Sequence, residues 1–210
     1  MKKLRLAALV GGLLLATRAE AQLPSPYSGA TTLPVNGHVV GGYLTLSENL
    51  VGLVGQLRLS FYPGVDFGFQ GGLARMDRDA GNRTTVQLGT DGKVSLLRST
   101  DSQPFDIAAG GGLGVRIGDN FSVLSLGPTV VASRSWHRGE TGEISPYAGL
   151  GFSFSSLSGD RKETDFAMPI RVGSEFGISP VARLVAEFEF RLGDDINDDV
   201  AFSAGVNLPF

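Results

Sequence analysis

Arg58, Lys93, Arg116, Arg171 and Arg183 fall on the polar side of stretches in which apolar and polar residues alternate, and Asp91, Glu175, Glu187 and Glu189 share that side. Opposite charges confined to one interior must pair, because an unpaired buried charge is expensive. Glu187 and Glu189, two residues apart on one strand face, come nearest in this chain to a pair of acid/base carboxylates. Arg183 and Arg191 flank them, so ion pairing is the simpler chemistry. The set as a whole reads in two ways: as a salt-bridged filling that fixes an interior, or as the lining of a narrow charged pore.

Other chemistry is poorly represented. His38 and His137 are the two histidines, and no GxSxG, SxxK, HExxH or P-loop pattern accompanies them. Asp195, Asn197 and Asp199 have the one-three-five spacing of a calcium loop. Val200 stands where that loop needs Gly, and Val206 where it needs Glu. There is no cysteine for a disulfide, a thiolate metal site or a lipid anchor. The expectation is a chain with no catalytic residues, no metal and no cofactor.

The elements that place these charges have a period of two. In residues 53–61, Leu53, Gly55, Leu57, Leu59 and Phe61 oppose Val54, Gln56, Arg58 and Ser60. In 105–117, Phe105, Ile107, Ala109, Gly111, Leu113, Val115 and Ile117 oppose Asp106, Ala108, Gly110, Gly112, Gly114 and Arg116. In 182–192, Ala182, Leu184, Ala186, Phe188, Phe190 and Leu192 oppose Arg183, Val185, Glu187, Glu189 and Arg191. These are strands with one greasy face and one small or polar face.

The first 21 residues set the compartment. Lys2, Lys3 and Arg5 precede an apolar run from Leu6 to Ala16, then Ala19-Glu20-Ala21 offers small residues to a signal peptidase, with cleavage after Ala21. The run is too short to span a bilayer as a helix. Its removal takes four of the 18 Lys and Arg and one of the 21 Asp and Glu, leaving a net charge near −6. That acidic balance argues against a nucleic-acid partner. No later stretch resembles a spanning helix, yet 42% of the residues are hydrophobic and 30 are glycine. A greasy, Gly-rich exported chain of alternating strands suggests strands that cross a membrane. Its apolar faces run 9 to 12 residues, long enough to cross at a tilt. Lipid tolerates no open sheet edge, so the sheet must close.

Strands are predicted at 37–47, 50–62, 65–76, 84–98, 105–117, 121–135, 144–157, 166–178, 181–192 and 200–210. The fold expected is all-β: a closed antiparallel up-and-down transmembrane β-barrel of about ten strands, with eight as the alternative. Residues 1–21 are the signal peptide, 22–36 a periplasmic N-terminal segment, and 37–210 the barrel domain. Joints rich in Asp, Asn and Gly alternate with joints carrying Pro63, Pro104, Pro146 and Pro180, as two sides of a membrane would require. Both termini, with His38 and His137, fall on the proline side, which is then periplasmic. That is the wrong end for an outer-membrane hydrolase. Tyr43, Phe61, Tyr62, Phe121, Trp136, Tyr147 and Phe166 near strand ends read as interfacial girdles or as ordinary strand composition.

The last strand, FSAGVNLPF, alternates apolar residues and ends on an aromatic. Together with the signal peptide and the Gly-rich alternating strands, it resembles the small bacterial outer-membrane β-barrels of the OmpA/OmpX-like group, over about residues 37–210. The resemblance implies residence in the outer membrane. It also implies that Phe202, Val206, Leu208 and Phe210 form the signal read by the barrel-assembly machinery, with Ala204 smaller than the usual occupant. The implied partners are outer-membrane lipid and lipopolysaccharide, periplasmic chaperones and the assembly machinery. The function expected is a structural or narrow-pore barrel without catalysis. A loop-mediated binding or adhesion protein and, less favoured, a lipid-modifying enzyme are the alternatives. Oligomeric state and solute are not encoded in any motif.

Overall fold

The computed structural model describes residues 25–76, 83–138, 142–159, 163–193 and 200–210. The signal peptide and the Ala21 cleavage site lie outside them, as do parts of the acidic joints. The described residues form twelve strands: β1 (His38–Ser47), β2 (Leu50–Tyr62), β3 (Val65–Met76), β4 (Arg83–Leu97), β5 (Asp106–Ile117), β6 (Phe121–Ser133), β7 (Trp136–Arg138), β8 (Gly142–Gly151), β9 (Ser153–Gly159), β10 (Glu163–Ser179), β11 (Ala182–Leu192) and β12 (Val200–Pro209). Successive strands of the wall pair antiparallel, β6 and β10 each with both β8 and β9, and β12 returns to β1, from Val39–Pro209 to Ser47–Ala201. The sheet is a closed barrel.

The wall has ten strands, because β8 and β9 are two halves of one. Both pair with β6 on one side and β10 on the other in a single continuous register. Phe152 interrupts them where the register sets it opposite Pro128. Phe152 donates its N–H to the Pro128 carbonyl at 3.0 Å, but proline has no N–H to return. The short β7 pairs with β8 alone and prolongs the β6 side of that hairpin. Pro146, expected in a turn, lies inside β8 opposite Ser174 of β10. The remaining predicted strands differ from the observed ones by a few residues at their ends.

Alternation sorts the two faces. Leu53, Phe69, Leu73, Leu88, Val130 and Phe188 point outward and are about half exposed, as are their even-spaced neighbours all around the wall. A soluble monomer does not tolerate so continuous an apolar surface, whereas a barrel in lipid requires one. Inward, side chains are mostly small, polar or charged, joined by larger apolar ones such as Tyr43, Leu50, Met76 and Tyr147, and most are buried. One end of the barrel, the terminus end, carries His38, the Tyr62–Val65 turn, the Ser179–Ala182 turn and Phe210. The other, the loop end, carries the Ser47–Leu50 and Ile117–Phe121 joints.

Residues 25–33 depart from expectation. They were assigned with 22–36 to a segment outside the barrel, but they run inside it. Asn36 donates to the Ser60 carbonyl near the terminus-end rim, and Leu33 N–H donates to Asp66 Oδ1, at the start of β3. Pro26 and Ser25 are reached by Gln56 and Gln70, which sit in mid-strand. The segment therefore climbs from the rim into the middle of the lumen. Ser25, Tyr27 and Ala30 are buried there.

Candidate functional site

The candidate site is the lumen, and the inward parity of each strand builds it. Toward the terminus end, Lys93 of β4 pairs with Asp66 of β3 at 3.4 Å, and Arg183 of β11 with Glu143 of β8 at 3.0 Å. In the middle, Arg58 of β2 meets Asp91 of β4 at 2.9 Å across β3. Gly68 of β3 lies between them, and a Cβ there would collide with the Asp91 carboxylate and the Arg58 guanidinium. Toward the loop end, Glu189 accepts from Arg171 Nε and from Arg191 Nε, each at 2.7 Å. Arg116, 1% exposed, donates to Gln87 Oε1 at 3.0 Å.

The structure brings Arg58, Lys93, Arg116, Arg171, Glu175, Arg183, Glu187 and Glu189 to the inner face of the wall, with a change of partner at Glu187. Glu187 was expected to pair with the flanking arginines, yet Arg183 goes to Glu143 and Arg191 to Glu189. Glu187 instead accepts the Ser25 hydroxyl at 2.6 Å and the Tyr147 hydroxyl at 2.8 Å. Glu175 accepts the Gly29 N–H at 2.9 Å. Asp66 belongs to the constellation without having been named among the lumen charges, and Arg191, expected as an ion-pair partner of the two glutamates, pairs with Glu189. Parity with Gly68 is the signal that includes Asp66.

Side chains fill the loop end. Leu50, Ala74 and Met76 cluster with Phe121 packed against them, and Val123 and Leu157 meet the same ring. Phe121 therefore serves the interior and not a girdle. Tyr43 and Tyr147 are likewise inside, 1% and 4% exposed, while Phe61, Tyr62, Trp136 and Phe166 face outward. Tyr147 lies over Gly173 of β10, whose missing Cβ leaves room for the ring.

The terminus-end half is filled by residues 25–33, held chiefly through their main chain. Carbonyls accept from Gln56 (Pro26, 3.0 Å), Gln70 (Ser25, 2.5 Å) and Asn207 (Tyr27, 3.1 Å). Lys93 Nζ donates to the Gly29 and Thr31 carbonyls at 2.8 and 3.0 Å. Ala30 N–H reaches Ser133 Oγ at 2.9 Å. Tyr27 stacks on Tyr43 with ring centroids 4.0 Å apart, and Tyr43 in turn bonds Asn207. Among the described residues no group of three His, Asp or Glu is placed to hold a metal. Phe202, Val206, Leu208 and Phe210 lie along β12 on its outward face, at the seam with β1. The Phe210 N–H donates to the His38 carbonyl at 3.1 Å, and its ring stacks on the His38 ring at 5.4 Å.

No family model matches the chain, and no curated protein matches it. Among solved structures it is similar to the β domain of the Bordetella autotransporter BrkA. That likeness has a TM-score of 0.51 at 13% identity and covers 83% of this chain and 98% of that one. An outer membrane channel from Pseudomonas putida F1 is similar over 91% of this chain and 100% of its own, with 15% identity and a TM-score of 0.43. At such identities the first likeness shows the fold alone. The chain has the fold of an outer-membrane β-barrel.

Removing one partner of a buried pair strands the other, which costs about 3–5 kcal/mol. Asp91→Ala, which strands Arg58, should therefore lower unfolding free energy in lipid vesicles by about that much. A pair near the rim is hydrated and worth less than about 1 kcal/mol. Arg183 and Glu143 have side chains 37% and 22% exposed, so Arg183→Ala should move the urea transition little. Equal losses from the two variants would contradict the ordering of the charges by depth.

Proposed function

We propose that the protein is an integral outer-membrane β-barrel of structural type, exported by a signal peptide cleaved after Ala21 and without catalysis. We group it with the small OmpA/OmpX-like barrels. The observation that carries this reading is the double filling of the lumen. Residues 25–33 occupy its terminus-end half, and ion pairs with the Leu50–Met76–Phe121–Leu157 cluster occupy the rest. Beside the inner segment lie a cavity of about 20 Å³ and another of about 10 Å³, each with room for single water molecules. A conducting path needs a continuous aqueous lumen, and this filling favours the structural over the narrow-pore role.

On this reading the terminus end faces the periplasm and the acidic joints face outward. The outward Leu, Val and Phe belt sits in lipid, with lipopolysaccharide around the loop end. Chaperones and the assembly machinery handle the chain before closure, and β12 with Phe202, Val206, Leu208 and Phe210 presents the signal. The folded barrel, purified and inserted in planar bilayers, should show no step openings. Regular steps of one amplitude would refute the closed lumen.

Phe210 makes one backbone bond and one ring contact, and is 73% exposed. Its deletion should thus leave the urea transition of refolded protein within about 1 kcal/mol of the original, yet lower the amount reaching the outer membrane several-fold. Unchanged outer-membrane levels would count against the assembly role.

A further inference from the structure

Residues 25–33 join two apolar clusters, Tyr27 with Tyr43, Val54 and Val185, and Ala30 with Ala108, Val131 and Tyr147. Beside these they make a set of polar main-chain contacts of the kind a binding site makes. Side chains from β2, β3, β4, β6, β10 and β12 reach the main chain: Gln56, Gln70, Lys93 and Asn207 donate to carbonyls, and Asp66, Ser133 and Glu175 accept N–H groups. Main-chain contacts give affinity with little dependence on sequence; pockets for single side chains give the selectivity. One such pocket is clear. Tyr27 stacks on Tyr43 with the planes 19° apart, and Gly205 across the seam has no Cβ to obstruct the Tyr43 ring. Tyr27 adopts φ +44° to reach it, a conformation uncommon for an aromatic residue and maintained only where surrounding contacts enforce it.

We propose that the terminus-end half of the lumen is a peptide-recognition site, occupied by residues 25–33 and able to take a second peptide of the same chemistry in their place. The peptide class is an uncharged stretch of small residues with one aromatic ring, as in Ser-Pro-Tyr-Ser-Gly-Ala-Thr-Thr-Leu. Lys93–Asp66 and Arg58–Asp91 are matched within the wall, and Glu175 and Glu187 meet the guest through an N–H and a hydroxyl, which suits a guest without acidic groups. The two small cavities both border Pro26, so the guest is docked with gaps beside it. Its one covalent tie to the wall is the turn at 34–37, where Pro34, Val35 and Asn36 are exposed. The inference rests on residues 25–33 filling the lumen, as the closed-barrel reading does. Conductance of the intact protein decides that reading, and peptide uptake by a nicked protein decides this one.

The test inserts a protease site after Val35 in the full chain, folds the barrel, and cuts it. A fluorescent peptide of residues 25–33 is then added in detergent and its anisotropy followed. Saturable uptake, displaced by unlabelled peptide, is expected. A peptide carrying Tyr27→Ala should bind at least about tenfold more weakly, since it loses both a stacked pair and a buried ring. Gln56→Leu in the nicked barrel should weaken the parent peptide without altering the barrel's cold-gel mobility. Absence of uptake, or equal uptake of a scrambled peptide, would overturn the proposal.

Discussion

The pairing of β1 with β12 is the contact on which the rest of the structure depends. It runs from Val39–Pro209 to Ser47–Ala201 and converts a ten-stranded ribbon into a ring. In hydrocarbon no water can satisfy a free edge, so closure is a condition of existing there at all. Closure also creates the second problem that the molecule has to solve. A ring of ten strands encloses more space than small inward residues fill, and an empty or unevenly charged interior is costly.

The lumen answers that problem in two ways along its axis. Near the loop end the wall supplies bulk, with Met76, Phe121, Leu157 and the Arg171–Glu189–Arg191 cluster. Near the terminus end the wall supplies polar anchors, and the chain preceding β1 supplies the bulk. Lys93 shows the division most clearly. Its ammonium meets Asp66, the Ser28 hydroxyl and two carbonyls of the inner segment, so one cation serves both the wall and its guest.

Much of this was legible in the sequence, and the reasons for the rest are specific. Period-two alternation located every wall strand and both faces, because a half-buried strand has no other way to satisfy two solvents. It also contained more than was taken from it. Tyr43 shares a face with Thr45, and Tyr147 with Ser145, so parity places both rings inside despite their position near strand ends. Asp66 shares a face with Gly68 and Gln70, so the same parity places its carboxylate inside. The inner segment left no comparable trace. Ser25-Pro26-Tyr27-Ser28-Gly29 has the composition of a linker and no periodicity. What holds it is a set of Gln, Asn, Lys, Asp, Glu and Ser side chains scattered over six strands, and only the closed register brings them together. Glu187 was misassigned to arginine neighbours because its true partners, Ser25 and Tyr147, are remote in sequence.

The claim on which the account turns is that residues 25–33 lie within the lumen. The chain has no cysteine, so single thiols report their own surroundings without background. Ser25 is 5% exposed and Val35 is 47% exposed. With a water-soluble thiol reagent on the folded, membrane-inserted protein, Val35→Cys should react at the rate of a free thiol. The isosteric Ser25→Cys should stay unmodified until the barrel is unfolded. Equal labelling of the two in the folded state would contradict the account.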